Sequence, residues 1–146
     1  MSTRHSLPRI SGILVALGIA MLLAACSGSG SPANSTTSFQ SQVKTSDGMF
    51  LVLFNVTPNR LGTNHFHVTV DNATTKKPVS NLQVQLATTM LDMAMGTDTY
   101  ALQTSGNGQY STSGDLSMGG RWQIRILVRT PDATLHTAQV QFSTPA

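Results

Sequence analysis

Only one cysteine stands in the 146 residues, Cys26, and glutamate does not occur at all. A disulfide needs two thiols, so the folded part must be held by its core alone, and it has no thiolate to serve as nucleophile or metal ligand. The six acidic residues are all aspartates scattered along the chain, which argues against paired-carboxylate chemistry. Serine, histidine and aspartate do not fall at the spacing of a nucleophilic triad, so the chain is not expected to be an enzyme. Lys44, Arg60, Lys76, Lys77, Arg121, Arg125 and Arg129 are dispersed rather than clustered, and no nucleic-acid partner is expected. No segment keeps a helical period. The run from Ile13 to Ala25 falls short of the ~20 apolar residues a membrane span needs.

That run does have a reading. Arg4 and Arg9 precede it, and it ends in Leu23-Ala24-Ala25-Cys26, the pattern of a secretory signal closing on a lipobox. Residues 1–25 are therefore expected to be a lipoprotein signal peptide and Cys26 to be acylated as the mature N-terminus. The chain would then be an extracytoplasmic, membrane-anchored lipoprotein, in the outer membrane if the host is diderm. The segment removed carries two of the nine basic residues and none of the acidic ones, so the mature chain is close to neutral and the whole-chain pI overstates its basicity. Residues 26–46 are rich in Ser, Gly and Thr and read as a flexible tether. Residues 47–146 are long enough for one domain.

Within that domain, short runs rich in β-branched and aromatic residues alternate with turn residues. Seven strands are expected: 49–56, 65–71, 82–87, 99–103, 109–112, 121–129 and 134–142. Phe66, Val68 and Val70 share one phase against His65, His67 and Thr69; Trp122, Ile124, Ile126 and Val128 share one against Arg121, Gln123, Arg125 and Arg129. One dry and one wet face per strand is the pattern of two sheets packed face to face. The fold class is all-β, a sandwich of about seven strands. Trp122 reads as a core anchor, Tyr110 as a strand residue whose hydroxyl finds a backbone partner, and His136 as a partly buried structural histidine.

Met90, Met93 and Met95 stand within six residues of one another. Thioether sulfur is soft, uncharged and independent of pH, so such a cluster suits Cu(I) and suits hard cations badly. Methionine also fills gaps in cores and makes adaptable contact surfaces, and the sequence leaves both readings open. If alternate connections gather at opposite ends of the sandwich, the loop holding Met90, Met93 and Met95, the loop holding Met118 and the start of the strand holding His65 share one end. His65 and His67 lie two apart on one outward strand face, a spacing that chelates Zn²⁺ or Cu²⁺.

The ordered set Pro58-Asn-Arg-Leu-Gly62-x-Asn64-x-Phe66, Lys77-Pro78-Val79, Met90-x-x-Met93-x-Met95-Gly96, Gly108-x-Tyr110 and Met118-Gly-Gly-x-Trp122 resembles the YtkA-like domain. The resemblance implies an immunoglobulin-like sandwich outside the cytoplasm, associated with copper handling. It places Met90, Met93, Met95 and Met118 on the family's methionine positions, and Asn64 and Phe66 on its strand opening. The expected role is a membrane-tethered accessory that captures or delivers Cu(I), with His65 completing the site and His67 as a further candidate. Expected partners are the membrane, through the N-terminal lipid, and a membrane copper transporter or respiratory assembly factor. The competing role is an interaction or assembly module of the cell envelope with no metal.

Overall fold

The structure, a computed structural model, describes residues 37–146. The signal segment, Cys26 and residues 27–36 of the expected tether lie outside the described residues. Nine antiparallel strands form two sheets: β1 (Phe39–Lys44), β2 (Phe50–Thr57), β3 (Gly62–Asn72), β4 (Gln83–Met90), β5 (Thr97–Ala101), β6 (Gln103–Gly106), β7 (Gln109–Leu116), β8 (Gly120–Arg129) and β9 (Leu135–Thr144). The first sheet has the order β1-β2-β3-β7-β6 and the second β5-β4-β8-β9.

The alternation predicted from sequence is the alternation seen. Val52, Phe54 and Val56 of β2, Phe66, Val68 and Val70 of β3, and Ile124, Ile126 and Val128 of β8 are all buried between the sheets. Trp122 is buried with them and aligns across the strands with Met90 on one side and Phe142 on the other. Burying such apolar surface contributes roughly 25 cal/mol per Å², and without a disulfide it is the main term that opposes chain entropy.

Two expectations are corrected. Phe39–Lys44, assigned to the tether, form the edge strand β1, so the domain begins before residue 47. The segment is rich in Ser and Gln, but its inward phase carries Phe39 and Val43, both packed on the core, and the Phe39 ring stacks on Phe142 at 5.1 Å. The single strand expected over 99–103 is instead β5 in one sheet and β6 in the other. Leu102 marks the crossing: it is buried and its N–H donates to Val84 O at 2.9 Å, so the chain changes sheets while keeping that side chain inside.

β7 also runs farther than expected, to Leu116, because Gly114 hides the alternation. A Cβ there would stand 2.7 Å from the Tyr100 ring and 2.9 Å from Phe66. Glycine lets Tyr100 pack over the strand.

Tyr110 behaves as read. Its hydroxyl donates to Val79 O at 3.2 Å and accepts from Leu82 N–H at 3.2 Å, tying the connection between β3 and β4 to the core. At the same end as that connection, buried His136 bonds through Nδ1 to Asp47 and meets Phe50 edge-on.

Asp47 also accepts from Thr45 Oγ1 at 2.7 Å and from Met49 N–H at 3.2 Å. Led by the Thr45 hydroxyl and then His136, these bonds lower its pKa from 3.8 to about 2. A carboxylate whose folded pKa is depressed stabilises the fold above its unfolded pKa and loses that contribution as pH falls through the folded one. The melting temperature should therefore drop as pH is lowered from 3.8 towards 2, and Asp47→Asn should flatten that dependence. Parallel melts of both proteins across this window check it; identical slopes would show that Asp47 contributes nothing to the acid sensitivity.

Candidate functional site

Three connections meet at one end of the sandwich. The β2–β3 connection follows Thr57, which pairs with His65; the β4–β5 connection follows Met90, which pairs with Trp122; and the β7–β8 connection runs from Leu116, which pairs with Gly62, to Gly120, which pairs with Thr144. The convergence expected from strand counting holds although the count was short. The added β1 precedes the strands that were numbered, and the β5–β6 crossing leaves their order unchanged.

Side chains pin these connections in place. Asn64, fully buried, donates through Nδ2 to Arg60 O at 2.7 Å and Gly62 O at 2.8 Å, and accepts from Arg60 N–H at 3.1 Å. Asn59 donates to Ser143 O at 3.1 Å and accepts from Thr144 Oγ1 at 3.0 Å. Asn64 is thus a clamp on the β2–β3 connection.

Asp92 does the same for the methionine loop. It accepts from the Arg121 backbone N–H at 2.7 Å and from Arg121 Nε at 2.8 Å, and pairs with Nη2 at 2.6 Å. The backbone bond first and the guanidinium second hold its carboxyl below the usual carboxylate range. Leu91 N–H donates to Arg121 O at 2.8 Å, extending the β4–β8 pairing one residue past Met90. Gly120, at φ +137°, makes room for this packing: a Cβ there would lie 2.8 Å from both Met90 Cε and Asp92 Oδ2. On the β7–β8 connection, Trp122 Nε1 donates to Met118 O at 3.2 Å.

On this fixed base the methionines divide. Met93, Met95 and Met118 are 51%, 48% and 38% exposed, whereas Met90 is 5% exposed. Met90 was expected beside the others as a ligand and is here a core residue. The reason is phase: β4 continues beyond Ala87 to Met90, and Leu86, Thr88 and Met90 take successive inward positions. Met93 and Met95 sit in a tight turn in which Met95 N–H donates to Met93 O at 3.0 Å.

His65 and His67 share the outer face of the first sheet, as their spacing predicts. That face points away from the second sheet, which carries the Met93 and Met95 loop. His65 Nδ1 is engaged by Ser113 Oγ at 2.9 Å. Among the described residues, no three His, Cys, Asp or Glu side chains come together to hold a metal. Among the described residues of the three connections, the side-chain donors suited to a soft metal are the sulfurs of Met93, Met95 and Met118, beside the Asp92 carboxylate that Arg121 already holds. Sequence reasoning missed the Asp92–Arg121 clamp and the role of Asn59; in Met90-Leu91-Asp92, an aspartate next to an apolar strand end was the signal for the first.

A family model described as YtkA-like matches residues 41–127. Among solved structures, the chain is similar to a copper-bound Glu-to-Gln variant of FetP from uropathogenic Escherichia coli strain F11. The TM-score is 0.54 at 8% identity, over 73% of this chain and 97% of that one. As-isolated FetP from the same strain gives a TM-score of 0.49 at 7% identity, over 73% of this chain and 94% of that one. At these identities the likeness is one of fold. Among curated proteins, none matches the sequence.

Proposed function

Because the chain belongs to the YtkA-like family, we propose that it is an extracytoplasmic copper-binding accessory, lipid-anchored through Cys26, that captures or passes Cu(I) at the end of its sandwich. The observation that carries this reading is the exposure of three thioethers, Met93 and Met95 on the β4–β5 connection, which Asp92 ties to Arg121 at the start of β8, and Met118 on the β7–β8 connection just before it. Methionine side chains normally retreat from water; holding three outside on anchored loops makes little sense for packing and good sense for a soft cation. The copper-bound FetP variant, a fold relative, is a precedent for copper on a sandwich of this shape.

The proposed donors are Met93, Met95 and Met118. Their sulfurs carry no proton to lose, so uptake would need no base and would vary little with pH. Copper is cargo in this reading and no catalysis is assigned. A membrane copper transporter or a respiratory assembly factor is the class of partner that would donate or accept it.

Cu(I) titrated into protein with labelled methionine methyl groups tests the assignment. The Cε resonances of Met93, Met95 and Met118 should move, while that of Met49, exposed at the opposite end, stays in place. Movement of Met49 alone, or of none, would overturn it.

A further inference from the structure

Among the described residues, seven large apolar side chains are exposed, and five of them, Leu61, Leu91, Met93, Met95 and Met118, lie on the three connections at one end. The other two, Met49 and Leu135, lie at the opposite end. Scattered apolar residues need no explanation, but five gathered on one end of a small domain mark a contact surface.

The chain itself indicates what covers that surface. Strand β1 begins at Phe39, and Phe39 pairs with Val56 while Lys44 pairs with Leu51. The chain therefore enters the domain at the methionine-bearing end. Between Cys26 and Phe39 stand residues 27–38, which fully extended reach at most about 45 Å. The opposite end lies a further ten-residue strand away, about 33 Å.

We infer that the end carrying Leu61, Leu91, Met93, Met95 and Met118 rests on the phospholipid bilayer that holds the chain's own lipid. This rests on the lipid anchor at Cys26 proposed above. Few charges stand on the loops that would meet the headgroups, and the exposed Asp98 and Asp115 lie behind them on β5 and β7. The residues of the three connections include two charged side chains, Arg60 and Asp92. Asp92 is ion-paired with Arg121, and Arg60 is exposed with no ion pair among the described residues, available to lipid phosphates. Apolar loops tipped with an arginine suit the boundary between headgroups and acyl chains. The copper site would then open towards the membrane, where a membrane-embedded donor or acceptor presents its own.

Trp122 is the chain's one tryptophan and sits under this end, bonded to Met118 O, so it reports contact directly. The lipidated full chain is reconstituted into phosphatidylethanolamine and phosphatidylglycerol vesicles, with and without a headgroup-spin-labelled lipid, and floated to isolate the bound fraction. Floated protein should lose most of its Trp122 emission in the labelled vesicles, and Leu61→Ser with Leu91→Ser should restore it without loss of flotation. Full emission from floated protein would overturn the docking while leaving the anchor intact. Quenching that survives the double substitution would show that the tether alone brings the end close, and quenching confined to native membranes would point to a protein partner; either result overturns docking on lipid. A chain that does not float removes the anchor and this inference with it.

Discussion

Replacing Trp122 by alanine should cost about 3–5 kcal/mol, against the 5–15 kcal/mol that typically holds a domain folded. The indole is buried between the sheets at the start of β8, across from Met90 and Phe142, and no disulfide shares the load. A cavity of that size cannot be filled by neighbours fixed in strand register. Each kcal/mol lowers the melting temperature of a domain this size by roughly 4–8 °C, so the shift is large enough to read in one thermal scan. Trp122→Phe separates two contributions. It keeps most of the apolar area but removes the Nε1 hydrogen bond to Met118 O, and should cost less than alanine while loosening the β7–β8 connection. An unchanged midpoint in the alanine variant would contradict Trp122 as the anchor of this core.

How far the sequence disclosed the fold can be followed residue by residue. Period-two burial is strong wherever branched or aromatic side chains occupy every inward position, as in Phe66-x-Val68-x-Val70, and those strands were readable with their faces. It fails where small or polar residues take inward positions. Phe39-x-Ser41-x-Val43 hid β1 inside a polar segment, and Gly114 hid half of β7 because its missing side chain is filled by Tyr100. The split of β5 from β6 was not legible, since a strand that changes sheets keeps its alternation and alters only its neighbours.

The candidate site was legible in composition and only partly in geometry. Softness singled out the methionines, and strand order brought their loops to one end. Which of them face water depended on whether β4 stops at Ala87 or reaches Met90, a three-residue difference that moved Met90 from ligand to core. His65 and His67 were placed correctly on an outer face; that this face turns away from the methionine loop is a property of the sheet pairing, which spacing alone does not encode.

The second large effect concerns copper. Met→Leu preserves size and apolarity, costing under ~1.5 kcal/mol even in a packed core, while it deletes the sulfur. At Met93 and Met95, both about half exposed, the structural cost should be smaller still, because little packing depends on them. The substitution therefore isolates the chemistry of the sulfur from the stability of the fold. Met49→Leu, at the opposite end of the sandwich, controls for the loss of any exposed thioether.

The most direct measurement is a Cu(I) titration against a competing chelator, run on the unaltered protein, on Met93→Leu with Met95→Leu, and on Met49→Leu, with folding of each confirmed by circular dichroism. The double variant should lose roughly tenfold or more in affinity, about 1.4 kcal/mol, while Met49→Leu binds as the unaltered protein does; equal affinity in all three would contradict the copper site at this end.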